Sequence, residues 1–426
     1  MVTRHTSHVT RQKKNLAKLL KQRLPGRIFG IIRKIGNLAQ AKGLPAYIVG
    51  GFVRDALLGV KNLDLDIVVE GKAIDFTCLL KGRIAEDIVL HPRFGTATLT
   101  LPCGFKIDIA TSRKEHYACA AALPTVYASR IREDLFRRDF TINTLAVKIN
   151  KDNFGQLLDL FGGQNDLREK NIRVLHPQSF IDDPTRILRA VRFEQRYNFT
   201  IEKDTARLLR QATKEGMLKK LSKFRIGNEL ILILREEEPL KSLVRISALC
   251  RGLSFIHPSI RLGRIMLEQL KSAKDSNSWL VYFMLLTAGV NISQVKRLCR
   301  AFSLTKANTQ KIVSFKENSD QALKAIEKAK SLSSRQIYQI LHPFSYEETL
   351  ALICRSRSKR ARARFRLFLK ELSQVKIGLT GKDLKRLKIK PGPRYTNILQ
   401  DILYAKIDGK VKTKSDELNY VRDLLN

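Results

Sequence analysis

Twenty-five residues, Ala46 to Glu70 (AYIVGGFVRDALLGVKNLDLDIVVE), constrain the fold more than any other stretch of the chain. The apolar run Tyr47 to Val49 predicts a short buried strand, and Gly50-Gly51 ends it with residues that reach backbone angles closed to others. Phe52 to Leu58 predicts a short helix stopped by Gly59, so its free N–H groups and positive dipole end face the two glycines. An anion fits there, with Arg54 close by. In the next predicted strand, Leu63 to Val69, Asp64 and Asp66 share one face while Leu63, Leu65 and Ile67 take the other. Two carboxylates side by side in an apolar setting are costly without a cation, and hard oxygen donors with open positions suit magnesium. Taken singly, each signal has a plain alternative: an ordinary turn and an exposed acidic face.

A third acid shifts the balance. Asp108 sits at the centre of Lys106 to Ala110 (KIDIA), which repeats the apolar-acid-apolar alternation on a later strand. Gly-Gly, then Asp-x-Asp, then a lone Asp on another strand resembles the nucleotidyltransferase superfamily that includes polymerase beta.

With 79 basic against 40 acidic residues the formal charge is +39, which points to a large polyanion as partner and favours nucleic acid over membrane. No run of 18 apolar residues occurs, and the start MVTRHTSHVTRQKK lacks the apolar core of a secretory signal, so a cytoplasmic protein is expected. The acid-poor N-terminal region ranks first as an RNA-contacting extension and second as an organelle transit segment. Six dispersed cysteines without a Cys-x-x-Cys pattern read as reduced and structural rather than zinc-binding.

Along the chain, Arg27 to Ala41 and Ala73 to Leu80 predict helices; Ile88 to Leu90, Thr96 to Leu101 and Phe105 to Ala110 predict strands. Arg113 to Ser129 has no clean period and reads as a loop. Arg137-Arg138-Asp139 follows, where Arg138 suits phosphate or nucleotide and Asp139 a ribose hydroxyl. In FIDDPTRILRAVRFEQRYNFTI, Phe180 to Ile201, Pro184 sits in a first helical turn with Asp182 or Asp183 at the cap. Asp183 and Arg186 are neighbours on one helix face, which is satisfied by a cap plus an ion pair of roughly 0.2–0.5 kcal/mol. The sharper reading is chemical. Cytosine and adenine each present an exocyclic amine beside an unprotonated ring nitrogen, and a carboxylate next to a guanidinium matches that pair without a template.

Together, GGFVRD, DLD, RRDFTIN and DDPTRILRAVRF resemble the tRNA nucleotidyltransferases that build the 3′-terminal CCA and their relatives, the bacterial poly(A) polymerases. The resemblance covers roughly residues 46 to 235 and the tail. It implies Gly51 and Arg54 for nucleotide phosphate, Asp64 and Asp66 for Mg2+, and Arg138, Asp183, Arg186, Arg189 and Arg192 for nucleotide, with Arg225 and Glu229 of LSKFRIGNE as braces. No His-Asp dipeptide occurs, so no phosphohydrolase activity is expected, and HPRFGTATL at His91 to Leu99 favours tRNA repair over polyadenylation.

The fold class expected is α+β: a basic arm (1–26), a polymerase-beta-like head of mixed sheet (27–175), a neck (176–235), a helical body (236–378) with polar breaks near Asp275 to Ser278 and Ser331 to Ser334, and a helical tail (379–426). Cys354 to Leu372 is read as one helix carrying eight Lys/Arg, with Arg355, Arg357, Arg360 and Arg362 as RNA contacts. In the tail, Lys382, Lys385, Arg386 and Arg394 are the RNA contacts the resemblance implies, with a helix capped at Thr380 and another from Tyr395. The expected function is addition of C and A to tRNA from CTP and ATP with Asp64, Asp66 and Asp108 catalytic. A poly(A) polymerase, a CC- or A-adding enzyme, and a silent RNA-binding protein are the alternatives.

Overall fold

The computed structural model describes residues 14–424, and the chain forms two compact units, Met1–Leu221 and Ser222–Asn426. Residues 1–13 of the basic arm lie outside the described residues. The described part of the arm is tied to the head: Leu16 N–H donates to the Gly155 carbonyl (2.7 Å) before helix α1, Ala17–Arg23.

Helix α2, Gly26–Ala41, buries Ile28, Ile32, Ile35 and Ala39, the stripe that its spacing predicts. Gly36 on that stripe lies so close to the Ile149 carbonyl that a Cβ would overlap it, which brings the helix down onto the backbone. The sheet beneath is seven-stranded, ordered β3-β4-β5-β2-β1-β8-β9. Its strands are β1 (Ala46–Val49), β2 (Leu65–Val69), β3 (Asp87–His91), β4 (Thr96–Thr100), β5 (Lys106–Thr111), β8 (Ala146–Lys148) and β9 (Leu157–Leu158). A separate hairpin contains β6 (Arg113–His116) and β7 (Thr125–Ala128).

Two sequence expectations are corrected here. The second acidic strand begins at Leu65 rather than Leu63, because the Asp64 N–H donates to the Asn62 side chain (2.8 Å) in a local turn. The stretch Arg113 to Ser129 holds the β6–β7 hairpin rather than a loop. Its alternation is hidden because polar groups anchor it: Ser129 N–H donates to the Ser112 carbonyl (2.8 Å), and Glu115 accepts from Arg137 (3.0 Å). Helices α3 (Gly51–Leu58, closed by left-handed Gly59) and α4 (Ala73–Cys78) agree with expectation, the latter ending two residues early. Beyond them lie α5 (Ile131–Phe136), α6 (Gly163–Glu169), α7 (Ser179–Asp182) and α8 (Thr185–Tyr197).

The second unit is helical throughout its described residues. At its centre, Trp279–Leu286 (WLVYFMLL) buries every residue from Leu280 to Leu286; a helix apolar on all sides can only be core. The polar breaks fall where expected, before Trp279 and before Ser334, where Ser333 and Gln336 form a capping box. The basic stretch is two helices rather than one. Tyr346–Arg355 ends at extended Ser356, and Ser358 caps Lys359–Lys370 by accepting from the Ala361 N–H. The tail has its own small core of Leu379, Leu384, Ile389, Ile398, Ile402 and Val421. No helix among the described residues is long and apolar enough to cross a membrane.

Candidate active site

Register places the acids. β2 and β5 run parallel with Asp66 opposite Asp108, and β1 pairs antiparallel with β2 so that Val49, the residue before the Gly-Gly turn, stands beside Asp66. The turn and the carboxylates therefore open into one cleft of about 840 Å³. Gly51, Arg54, Asp64, Asp66, Asp108, Arg138, Asp139, Asp183, Arg186, Arg189 and Arg192 all line it.

Burial, reinforced by Asp64 and Asp108, pushes the Asp66 carboxyl up to about 6 despite the opposing Arg138. Asp64 and Asp66 would hold a cation that offsets this cost, and their hard oxygen donors fit magnesium. Asp108 Oδ1 accepts from Thr98 Oγ1 at 2.6 Å, and Thr98 in turn lies 3.5 Å from His91 Nε2. Among the described residues no three Asp, Glu, His or Cys side chains close into a metal cage. Magnesium that shares its ligands with water and substrate phosphates needs no such cage.

Gly50 explains the turn. It has φ 72°, and a Cβ there would stand 2.6 Å from Arg138 Nη1, so only glycine lets that guanidinium lie against the backbone. Arg138 donates to Asp134 Oδ2 (3.1 Å), and Arg137 donates to Asp134 Oδ1 (2.8 Å) and Glu115 (3.0 Å). Asp134 is fully buried; burial opposes its charge, yet the two arginines hold its carboxyl below the usual range. Its signal in the sequence is the spacing of three and four residues from Arg137 and Arg138, which sequence reasoning alone does not separate from an ordinary helical ion pair.

Arg54 is buried and committed. Its Nε and Nη2 donate to Asp55 (2.8 and 3.0 Å), its Nη1 to Asn143 Oδ1 (2.5 Å). Its guanidinium lies 5.1 Å and 4.8 Å from the ring centroids of Phe193 and Tyr197. Asp139 Oδ2 accepts from both Nε and Nη2 of Arg189 (2.8 and 2.6 Å). Burial works against the Asp139 charge, but Arg189 and Asn143 outweigh it and lower the carboxyl to about 2.

On α8, Asp183 Oδ1 accepts from the Thr185 N–H (2.9 Å) and hydroxyl (2.5 Å), so the cap forms one residue before Pro184. Arg186 reaches Ser179 Oγ (2.5 Å) and the Arg137 carbonyl (2.8 Å), which ties the helix to the arginine pair.

The basic residues of the second unit divide. Arg357 and Arg360 are exposed, whereas Arg355 donates to Ser319 and Asp320 (2.8 and 2.6 Å) and Arg362 to the Ser356 carbonyl (2.8 Å). In the tail, Lys382, Lys385, Arg386 and Arg394 are all exposed.

The Poly A polymerase head domain family matches residues 46–173. An A-adding tRNA nucleotidyltransferase of Geobacter sulfurreducens is 39% identical over 96% of this chain, which spans about half that protein's length (48%). Another, from Halalkalibacterium halodurans, is 33% identical over 97% of this chain and 96% of its own. Among solved structures, a Thermotoga maritima CCA-adding enzyme complexed with tRNA is 33% identical, with a TM-score of 0.72 over 97% of this chain and 99% of that one. With the acids, the phosphate-sized turn and the arginine-lined helix gathered in one cleft, and with likeness along nearly the whole of the Halalkalibacterium protein, the chain belongs to the tRNA nucleotidyltransferase family.

Proposed function

We propose that this chain extends the 3′ end of tRNA from a nucleoside triphosphate and that its own step is addition of the terminal adenosine from ATP. The observation that carries the transfer is the pairing of Asp66 with Asp108 beneath the Gly50-Gly51 turn, opposite the Asp183 to Arg192 face of α8. Restriction to adenosine rests on the names of the Geobacter and Halalkalibacterium relatives. Addition of both C and A is the second reading; the Asp183 and Arg186 pair, whose chemistry suits either base, favours it.

In the transfer, the tRNA 3′ oxygen attacks the α-phosphorus, its bond to the β-phosphate bridge breaks, and pyrophosphate leaves while the hydroxyl proton passes to solvent. Magnesium held by Asp64 and Asp66 would lower the hydroxyl's pKa and neutralise the triphosphate. Asp108, held by Thr98, would support the attacking oxygen. Arg138 and the α3 N-terminus face the phosphates, Asp139 the ribose, Arg189 and Arg192 the nucleotide.

Incubation with tRNA ending before CCA, after its first C and after CC, with ATP and CTP separately and together, tests this. Extension of only the CC-ended tRNA, and only by ATP, is expected. Extension of all three with both triphosphates establishes the second reading, and none with any removes the functional assignment.

The RNA surface comprises Arg357, Arg360, Lys382, Lys385, Arg386 and Arg394, with Arg355 and Arg362 committed to internal contacts. Log affinity for tRNA should fall with log salt by roughly 0.7–0.9 per phosphate contacted. Deleting residues 379–426, which hold a separate small core, should flatten that slope. An unchanged slope takes the tail out of the surface.

A further inference from the structure

Six side chains form a closed circuit that begins and ends on α8. Tyr197 Oη donates to Asp55 Oδ1 (2.9 Å), and Asp55 receives Arg54 through two nitrogens (2.8 and 3.0 Å). Arg54 Nη1 donates to Asn143 Oδ1 (2.5 Å), and Asn143 Nδ2 donates to Asp139 Oδ1 (2.8 Å). Asp139 Oδ2 then accepts from Arg189, two helical turns back along α8 from Tyr197. Arg54, Asp55, Asn143 and Asp139 are all at most 8% exposed. Phe193 fills the space between the two ties, its ring 6.0 Å from that of Tyr197 and stacked with it, and 5.5 Å from the Arg189 guanidinium.

We infer that Tyr197 is a positioning residue for base selection: through Asp55 and Arg54 it pins the C-terminal end of α8 to the phosphate turn, and so fixes where the N-terminal end of that helix presents Asp183 and Arg186. The argument is geometric. Arg186 on Ser179 Oγ and the Arg137 carbonyl holds the N-terminal end of α8 and Arg189 on Asp139 holds its middle; the Tyr197 tie fixes the C-terminal end, and without it the helix can pivot about the other two. Pivoting moves the far end, and misplacement of about 1 Å at a reacting centre costs on the order of a hundredfold in rate. A buried circuit of charge-assisted bonds with every link engaged resists such movement. The Arg54 guanidinium stacked over both rings couples the aromatic pair to the same anchor.

The inference rests on the functional reading above, and the test separates the two. Tyr197→Phe keeps the ring and deletes only the hydroxyl. Its expected result is a fall of about tenfold in the preference for ATP over GTP, read as the ratio of kcat/KM values on CC-ended tRNA, with the melting temperature within a few degrees of wild type. The same loss should appear in the ratio of ATP and GTP dissociation constants measured calorimetrically without tRNA. That arm reads the circuit even if the wild-type protein extends no tRNA, an outcome that would sink the functional reading alone. Tyr197→Leu, which removes ring and hydroxyl together, should lose at least as much preference. An unchanged ATP-to-GTP ratio in Tyr197→Phe, whatever happens to its melting temperature, overturns the inference and leaves Tyr197 a packing residue.

Discussion

Asp66→Ala will abolish nucleotide transfer, by about a thousandfold or more at saturating magnesium, while tRNA affinity stays within a factor of about two. Asp66 is the point where the three acids meet. It lies on β2 two residues after Asp64, which stands in the turn that leads into that strand, and opposite Asp108 on the next strand, so no neighbouring oxygen can take its place. The exposed cations of the second unit that are proposed to meet RNA are untouched by the change. Stability distinguishes a dead site from a damaged fold. The Asp66 carboxyl is raised to about 6 from 3.8, chiefly by burial and then by Asp64. An acid whose folded pKa lies above its unfolded one binds more protons when folded, so it costs stability as pH rises through that window. At pH 7 without magnesium the alanine variant should therefore melt no lower than wild type, and magnesium should raise the melting temperature of wild type alone. Transfer by the variant at a tenth of the wild-type rate would remove the metal assignment.

Asp183→Ala should loosen base choice by roughly ten- to a hundredfold, the range in which a bidentate pair discriminates. In the proposed reading the carboxylate accepts the exocyclic amine of the incoming base and repels a carbonyl in the same position. The structure sharpens the competing explanation: Asp183 Oδ1 caps α8 through the Thr185 N–H and hydroxyl, a contact whose loss costs about 1 kcal/mol. A residue that only caps would lower the melting temperature and leave the kcat/KM ratios among ATP, CTP, GTP and UTP unchanged. A residue that reads the base changes those ratios whatever happens to stability. Asp183→Asn separates the roles further, since the amide oxygen can still cap while its N–H2 presents donors toward the base edge. It should keep most of the stability and lose selectivity; retained selectivity would leave the cap as the whole role.

What the sequence determined by itself is local. The strand-turn-helix from Ala46 to Leu58, its stop at Gly59, and the strand that carries Asp66 all follow from periods of two and 3.6 residues and from glycine's backbone freedom, which act within a few positions, whereas Asp64 lies in the turn before that strand. So do the Thr380 capping box and the breaks before Trp279 and Ser334. The hairpin from Arg113 to Ala128 escaped because its strands are held by Glu115, Ser112 and Ser129 rather than by an apolar face, so no alternation marks it. The basic stretch after Cys354 reads as one helix because charge and helical propensity run through Ser356 to Ser358, whereas the break is made by a side-chain cap. Tertiary structure alone decided the Asp66–Asp108 register and the bond between Tyr197 and Asp55, 142 positions apart in the chain. Such pairings depend on which strands become neighbours and how helices settle on them, and no short-range pattern of residues encodes a contact between segments that meet only when the whole unit is folded.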